Sequence, residues 1–139
     1  MLEIADSYGS TKSGRLANYY AGLAYLHQGD FEEAVRHLKK FKTKDPVLFI
    51  LSRQVLGDAY LELGQAEKAV GSYAEAASKY PNDILTPAIL TRQALTLETL
   101  QRYDEALKIY RQVRNDFPAA REASDAERHI ARLEAKSGK

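Results

Sequence analysis

Apolar residues recur at steps of three and four along nearly the whole chain, the spacing that gathers them on one face of a helix. No run alternates apolar and polar residues as a half-buried strand does, so the pattern predicts helices joined by short turns. A first helix is expected over about residues 11–28, with Ser10 as its N-cap. Gly29-Asp30 makes a turn, and a second helix runs over about 31–44. Pro46 cannot continue that helix and opens the next one instead. Further helices are expected over about 47–63, 66–79, 84–100, 103–115 and 119–136.

A fixed spacing runs through this pattern three times. Gly22, Tyr25, Ala34, Leu38 and Pro46 stand 3, 9, 4 and 8 residues apart. Gly57, Tyr60, Ala69, Tyr73 and Pro81 repeat those intervals, and so do Ala94, Leu97, Ala106, Tyr110 and Pro118. A period of 35 to 37 residues with constant internal spacing marks an array of helical hairpins. The small residues explain themselves: Gly22, Gly57 and Ala94 leave room on the first helix of each hairpin, and Ala34, Ala69 and Ala106 on the second. Tyr25, Tyr60 and Leu97 fill the space between. One hairpin cannot bury its apolar face alone, so neighbours stack. The helix over 119–136 has one apolar stripe (Ala123, Ala126, Ile130, Leu133) and is otherwise charged, which suits the end of a stack.

These residues resemble the tetratricopeptide repeat, whose pattern is W-x2-L-G-x2-Y, then A-x3-F, then P. Leu56-Gly57, Tyr60, Ala69, Tyr73 and Pro81 follow it closely. Repeat one has Leu38 for the aromatic, repeat three has Ala94 and Leu97 for Gly and Tyr, and the Trp is absent throughout. The resemblance implies an all-α, right-handed superhelical solenoid of about three hairpins plus a C-terminal capping helix. Its parts are a remnant of a preceding helix at 1–10, repeats at 11–46, 47–81 and 82–118, the cap at 119–136 and a tail at 137–139. Tyr8-Gly9 occupies the place of Tyr80-Pro81 and Phe117-Pro118, so the chain reads as a piece of a longer array. The stretch from Tyr8 to Gly22 is also similar to the repeat domains of bacterial envelope proteins of the ancillary Sec translocon subunit type. Such proteins carry an N-terminal membrane helix. By that likeness this would be the periplasmic or envelope-facing part of an anchored protein, touching the membrane only through that anchor.

The family implies a binding scaffold with no chemistry, taking a peptide or helical segment of a protein partner in a concave groove lined by the first helices. The groove candidates are Tyr19, Leu23 and His27, then Gln54, Asp58 and Leu61, then Thr91, Leu95 and Glu98. They lack the Lys, Arg and Asn of the family's carboxylate clamp, so an apolar or amphipathic segment is the expected occupant. A second reading is self-association: residues 16–26 are apolar around most of the helix, and such a surface often marks an interface.

Charge and composition narrow the remaining classes. Twenty basic residues against nineteen acidic give a net charge of +1, without the basic excess of a nucleic-acid binder. There is no cysteine, hence no disulfide and no thiolate metal site. His27, His37 and His129 are scattered without ligand spacing, so no metal is expected and they read as exposed or partly buried helix residues. Gly9 to Gly14 has the glycine spacing of a phosphate loop, but Arg15-Leu16 stand where Lys and Ser or Thr are needed, so no nucleotide cofactor is expected. No serine, threonine or carboxylate pair forms a catalytic set by motif, and the chain reads as no enzyme. Arg36, Lys39, Lys40, Lys42 and Lys44 put five cations in nine residues without an acid. On a helix to residue 44 they complement the helix dipole, after Glu32 and Glu33 at its start. The sharper reading is a docking patch for lipid headgroups or an acidic partner.

Overall fold

The structure, a computed structural model, describes residues 12–137, with side chains placed for residues 16–136. The expected remnant at 1–10 and the Ser10 cap lie outside the described residues. Those that are described form seven helices and no strand: α1 Lys12–Gln28, α2 Phe31–Lys40, α3 Pro46–Glu62, α4 Ala66–Ser78, α5 Thr86–Thr99, α6 Tyr103–Asp116 and α7 Arg121–Ser137. Two compact units divide the chain inside α4, one up to Ser72 and one from Tyr73. In the first, α1 packs on α2, α2 on α3, and α1 also touches α3. In the second, α5, α6 and α7 repeat that arrangement.

Each hairpin turns by the same hydrogen bonds. Gly29 N–H donates to the Leu26 carbonyl and Asp30 N–H to that of Tyr25. Gly64 and Gln65 do the same to Leu61 and Tyr60, and Gln101 and Arg102 to Glu98 and Leu97. This is the Schellman ending, which requires a left-handed residue after the helix. Gly29 (φ 80°) and Gly64 (φ 75°) supply it at no steric cost, whereas the third turn holds Gln101 at φ 60°.

The small positions of the repeat are closed. Ala34, Ala69, Ala94 and Ala106 have no or almost no exposed surface, and Leu38, Tyr73, Leu97 and Tyr110 are buried beside them. On α7, Ala123, Ala126, Ile130 and Leu133 are all buried, as the stripe predicts.

Three helix boundaries differ from expectation, each for a local reason. α2 ends at Lys40, not at 44, because Phe41 turns to an extended conformation (φ −69°, ψ 127°) and buries its ring 5.3 Å from that of Tyr19. Asp45 then caps α3, its carboxylate accepting from Leu48 N–H at 3.0 Å, with Pro46 in the first turn. α5 starts at Thr86, not 84, because the Asn82 side chain accepts from Ile84 and Leu85 N–H at 2.8 Å and holds them in a turn. α7 starts at Arg121, not 119, since Ala120 N–H closes a turn onto the Phe117 carbonyl.

Candidate functional site

The first helices of the hairpins, α1, α3 and α5, are built unlike the second ones. On α2 and α6 the apolar and polar residues separate sharply into two faces. On α1, α3 and α5 apolar residues run around most of the circumference. Within the first unit α1 packs on α2 and α3, and α3 on α2 and α1; within the second α5 packs on α6 and α7, so two faces of each are occupied. The large apolar side chains that remain exposed are Tyr20, Val47, Leu61, Ile84 and Leu95. Each lies on a first helix or, for Ile84, in the turn leading into one.

The nine groove candidates separate on this geometry. In the first unit, His27 and Leu61 are exposed, and Leu23, Gln54 and Asp58 are half-buried. Tyr19 is different. It is only 9% exposed, its ring lies between those of Phe41 and Tyr20, and burial followed by the neighbouring Tyr20 raises its pKa. The exposed tyrosine is its neighbour Tyr20. A helix apolar all round gives its pattern no phase, and the inward turn of Phe41 decides which tyrosine is covered. In the second unit Leu95 is exposed. Thr91 is half-buried, with its hydroxyl donating to the Pro87 carbonyl at 2.8 Å.

Glu98 is held within the second unit. Arg132 of α7 grips its carboxylate with two hydrogen bonds of 2.9 Å, and the Tyr110 hydroxyl of α6 donates to it at 2.6 Å. Burial pulls the Glu98 pKa up, but Arg132 and Tyr110 together hold it below the ordinary value. The Tyr110 pKa is raised, first by burial and then by Glu98. His129 stacks on Tyr110 with ring centres 4.5 Å apart and accepts from Arg132 at Nδ1. Burial, then Arg132, lowers its pKa, which favours the neutral ring. This cluster ties α5, α6 and α7 together and leaves Glu98 committed inside the fold. Its signal in the sequence was the pair His129 and Arg132 at i, i+3 on the otherwise charged side of the cap.

His37 corrects the expectation of exposed or partly buried histidines. It is 1% exposed, with Nδ1 3.1 Å from Asn18 Oδ1, Nε2 3.0 Å from Arg36, and Tyr25 stacked at 5.4 Å. Asn18 can only accept through that oxygen and Arg36 can only donate, so Nδ1 carries the proton. Among the described residues no three His, Asp or Glu side chains converge as a metal ion needs. Residues 12–14 of the glycine-spaced stretch are the start of α1, and 9–11 lie outside the described residues. A hollow of about 630 Å³ opens in the second unit between the turns that precede α5 and α7. It is lined by Ile84, 82% exposed, with Asp83, Asp116, Phe117, Pro118 and Arg121.

Hairpins in sequence order, each closed by the same turn and joined through a proline-marked junction, agree with the sequence comparison. The family model of the tetratricopeptide repeat matches residues 16–46, 56–83 and 89–120. The chain belongs to the tetratricopeptide repeat family. No curated protein sequence matches it. Solved structures similar to it include a Podosopora anserina protein described as a kinesin light chain with nearly identical TPR-like repeats. That match has a TM-score of 0.75 at 18% identity, over 97% of this chain and 74% of that one. PcrH in complex with the chaperone binding region of PopD matches with a TM-score of 0.70 at 19% identity, over 93% and 97%. MamA matches with a TM-score of 0.63 at 15% identity, over 97% and 85%. At these identities the likeness is one of fold. A fold of this family, with a chaperone–peptide complex among its neighbours, is consistent with a scaffold for protein–protein interaction.

Proposed function

We propose that the chain recognises an apolar or amphipathic peptide or helical segment of a protein partner through the outward faces of its first helices, and performs no chemistry. The observation that carries this is the placement of its exposed large apolar side chains. Among the described residues all of them lie on first helices or in a turn entering one, and α2, α4 and α6 expose none. Scattered surface apolar residues would show no such bias. In the first unit the contact surface is Leu23, His27, Gln54, Asp58 and Leu61 with Tyr20, and in the second Thr91 and Leu95. Tyr19 and Glu98 serve the fold instead. The PcrH structure, which holds a segment of PopD, supports a family fold accommodating a bound chain segment.

The test is selection of binding peptides from a random display library, followed by titration at concentrations where light scattering shows the chain as a monomer. Selected peptides should carry apolar residues at helical or alternate spacing. Leu61→Glu or Leu95→Glu, with helical content retained, should weaken binding by about tenfold or more, since a desolvated apolar anchor is worth roughly 1–3 kcal/mol. Binding indifferent to both substitutions in folded chains would place the contact surface elsewhere.

A further inference from the structure

The helix dipole explains only half of the lysine cluster that follows Arg36. α2 stops at Lys40, and the influence of a helix end fades within its last turn, so it reaches Lys39 and Lys40 but not Lys42 and Lys44. The carbonyl end is also already served, because Arg53 of α3 donates to the Leu38 carbonyl at 3.3 Å. Lys39, Lys40, Lys42 and Lys44 are all exposed, and among the described residues none has an ion pair, a ring contact or a side-chain hydrogen bond; the adjoining Asp45 spends its carboxylate on Leu48 N–H. Most other cations among the described residues are matched. Arg36 pairs with Glu33, Arg102 with Glu105, Arg111 with Glu134, Arg132 with Glu98, and Lys136 lies over Tyr103. Four like charges within six residues repel one another, and for Lys42 and Lys44 the helix end offers nothing in return.

The backbone presents them deliberately. Phe41 is buried beneath the segment and Thr43 is half-buried, while Lys42 and Lys44 between and after them face outward. Thr43 and Asp45 tie the end of the segment down, the Asp45 N–H donating to the threonine hydroxyl at 3.1 Å. Just beyond, Pro46 and Val47 at the tip of α3 are exposed.

We propose that Lys39, Lys40, Lys42 and Lys44, with Val47 at their edge, form a peripheral docking surface for an anionic lipid leaflet. The choice of lysine argues for a diffuse field of phosphates over an acidic peptide. Lysine is a hydrated point charge on a flexible stem, whereas arginine supplies the fixed forks that match single carboxylates. A row of exposed cations suits a surface with charge everywhere, and an exposed Val47 can enter the headgroup layer. No helix among the described residues is long and apolar enough to cross a membrane. Each lysine close to an anionic leaflet strengthens partitioning by roughly fivefold, so four contribute several hundredfold at most.

The test is cosedimentation of the full chain with vesicles of phosphatidylglycerol and phosphatidylcholine, and with phosphatidylcholine alone. Wild type should bind the anionic vesicles far better than the neutral ones, and raising the salt should release it, since screening shortens the reach of exposed charges. Changing all four lysines to Gln should lower binding by about a hundredfold or more, with helical content unchanged, and each single change by roughly fivefold. Lys108→Gln, at an exposed lysine of the second unit, should leave binding as it was. Equal binding to neutral vesicles, or undiminished binding by the quadruple variant, overturns the proposal. So does capture of poly-glutamate without capture of vesicles, which would assign the patch to an acidic protein. The lysine variants leave the first-helix reading untouched, because none of the four lies on α1, α3 or α5 and Val47 on α3 is not altered.

Discussion

Gly22→Ala sets two known effects against each other at one position. In the middle of α1, alanine should favour the helix over glycine by about 1 kcal/mol. Yet a Cβ built on Gly22 would lie 2.5 Å from Leu38 Cγ and 2.8 Å from its Cδ2. The nearer atom is the branch point of a fully buried side chain, which has little freedom to withdraw. Overpacking of this kind costs about 1–3 kcal/mol, so the substitution should come out destabilising by up to roughly 2 kcal/mol. Urea denaturation followed by helical circular dichroism would measure it, and the Tm should fall by about 4 °C per kcal/mol. The decisive comparison is a double-mutant cycle. Leu38→Ala alone should cost about 2–5 kcal/mol. In that background Gly22→Ala has no γ carbon to meet, and it should become stabilising by about 1 kcal/mol. Gly71, in α4, has nothing within 4 Å of a built Cβ, so Gly71→Ala should stabilise in either background. If Gly22→Ala has the same effect with and without Leu38, the close approach of α1 and α2 is not what keeps this glycine.

Gln101→Gly should stabilise the second unit by roughly 0.5–1 kcal/mol, because Gln101 holds φ 60° where the two equivalent turns use glycine. Equilibrium unfolding checks it, and no gain would mean that the Gln101 side chain stabilises the turn in some other way. Glu98→Gln should destabilise by about 1 kcal/mol at neutral pH, since a bidentate partner of Arg132 becomes neutral. The folded state holds the Glu98 pKa below 4.5, so this stabilisation is present above that value and is lost as the pH falls through the lower folded one. The gap between wild type and variant should therefore shrink in acid, and a gap independent of pH would refute the role given to the carboxylate.

Most of the fold was legible in the sequence, for reasons that particular residues show. Positions with one steric requirement each, such as Ala34, Ala69 and Ala106, carry their meaning in residue size. The glycines at 29 and 64 carry theirs in backbone freedom. Gln101 shows the limit, because the same left-handed turn forms there without the residue that announces it. The end of α2 was not legible: nothing in Lys39-Lys40-Phe41-Lys42 forbids helix, yet it ends where Phe41 turns extended and packs on Tyr19. That one contact also bears on the candidate site. It takes Tyr19 out of the exposed set, leaves Tyr20 in its place, and moves Lys42 and Lys44 beyond the reach of the helix dipole.

The contrast between the two kinds of helix connects these points to function. α2, α6 and α7 have one apolar face each, and packing uses it up: Ala123, Ala126, Ile130 and Leu133 on α7 are all buried, and its other faces carry the charges that pair with α5 and α6. Such helices are easy to read and have no apolar surface to spare. α1, α3 and α5 carry more apolar residues than their two packing faces within a unit can cover. A surplus of this kind removes the periodic signal that would assign each residue to a side, and so the candidate site was harder to place than the scaffold beneath it. The surplus is nevertheless the informative quantity, because Leu61 and Leu95 leave 40% and 43% of their surface to solvent, where an apolar side chain costs solubility. Their placement on first helices, with none on α2, α4 or α6 among the described residues, is what supports the proposed contact surface.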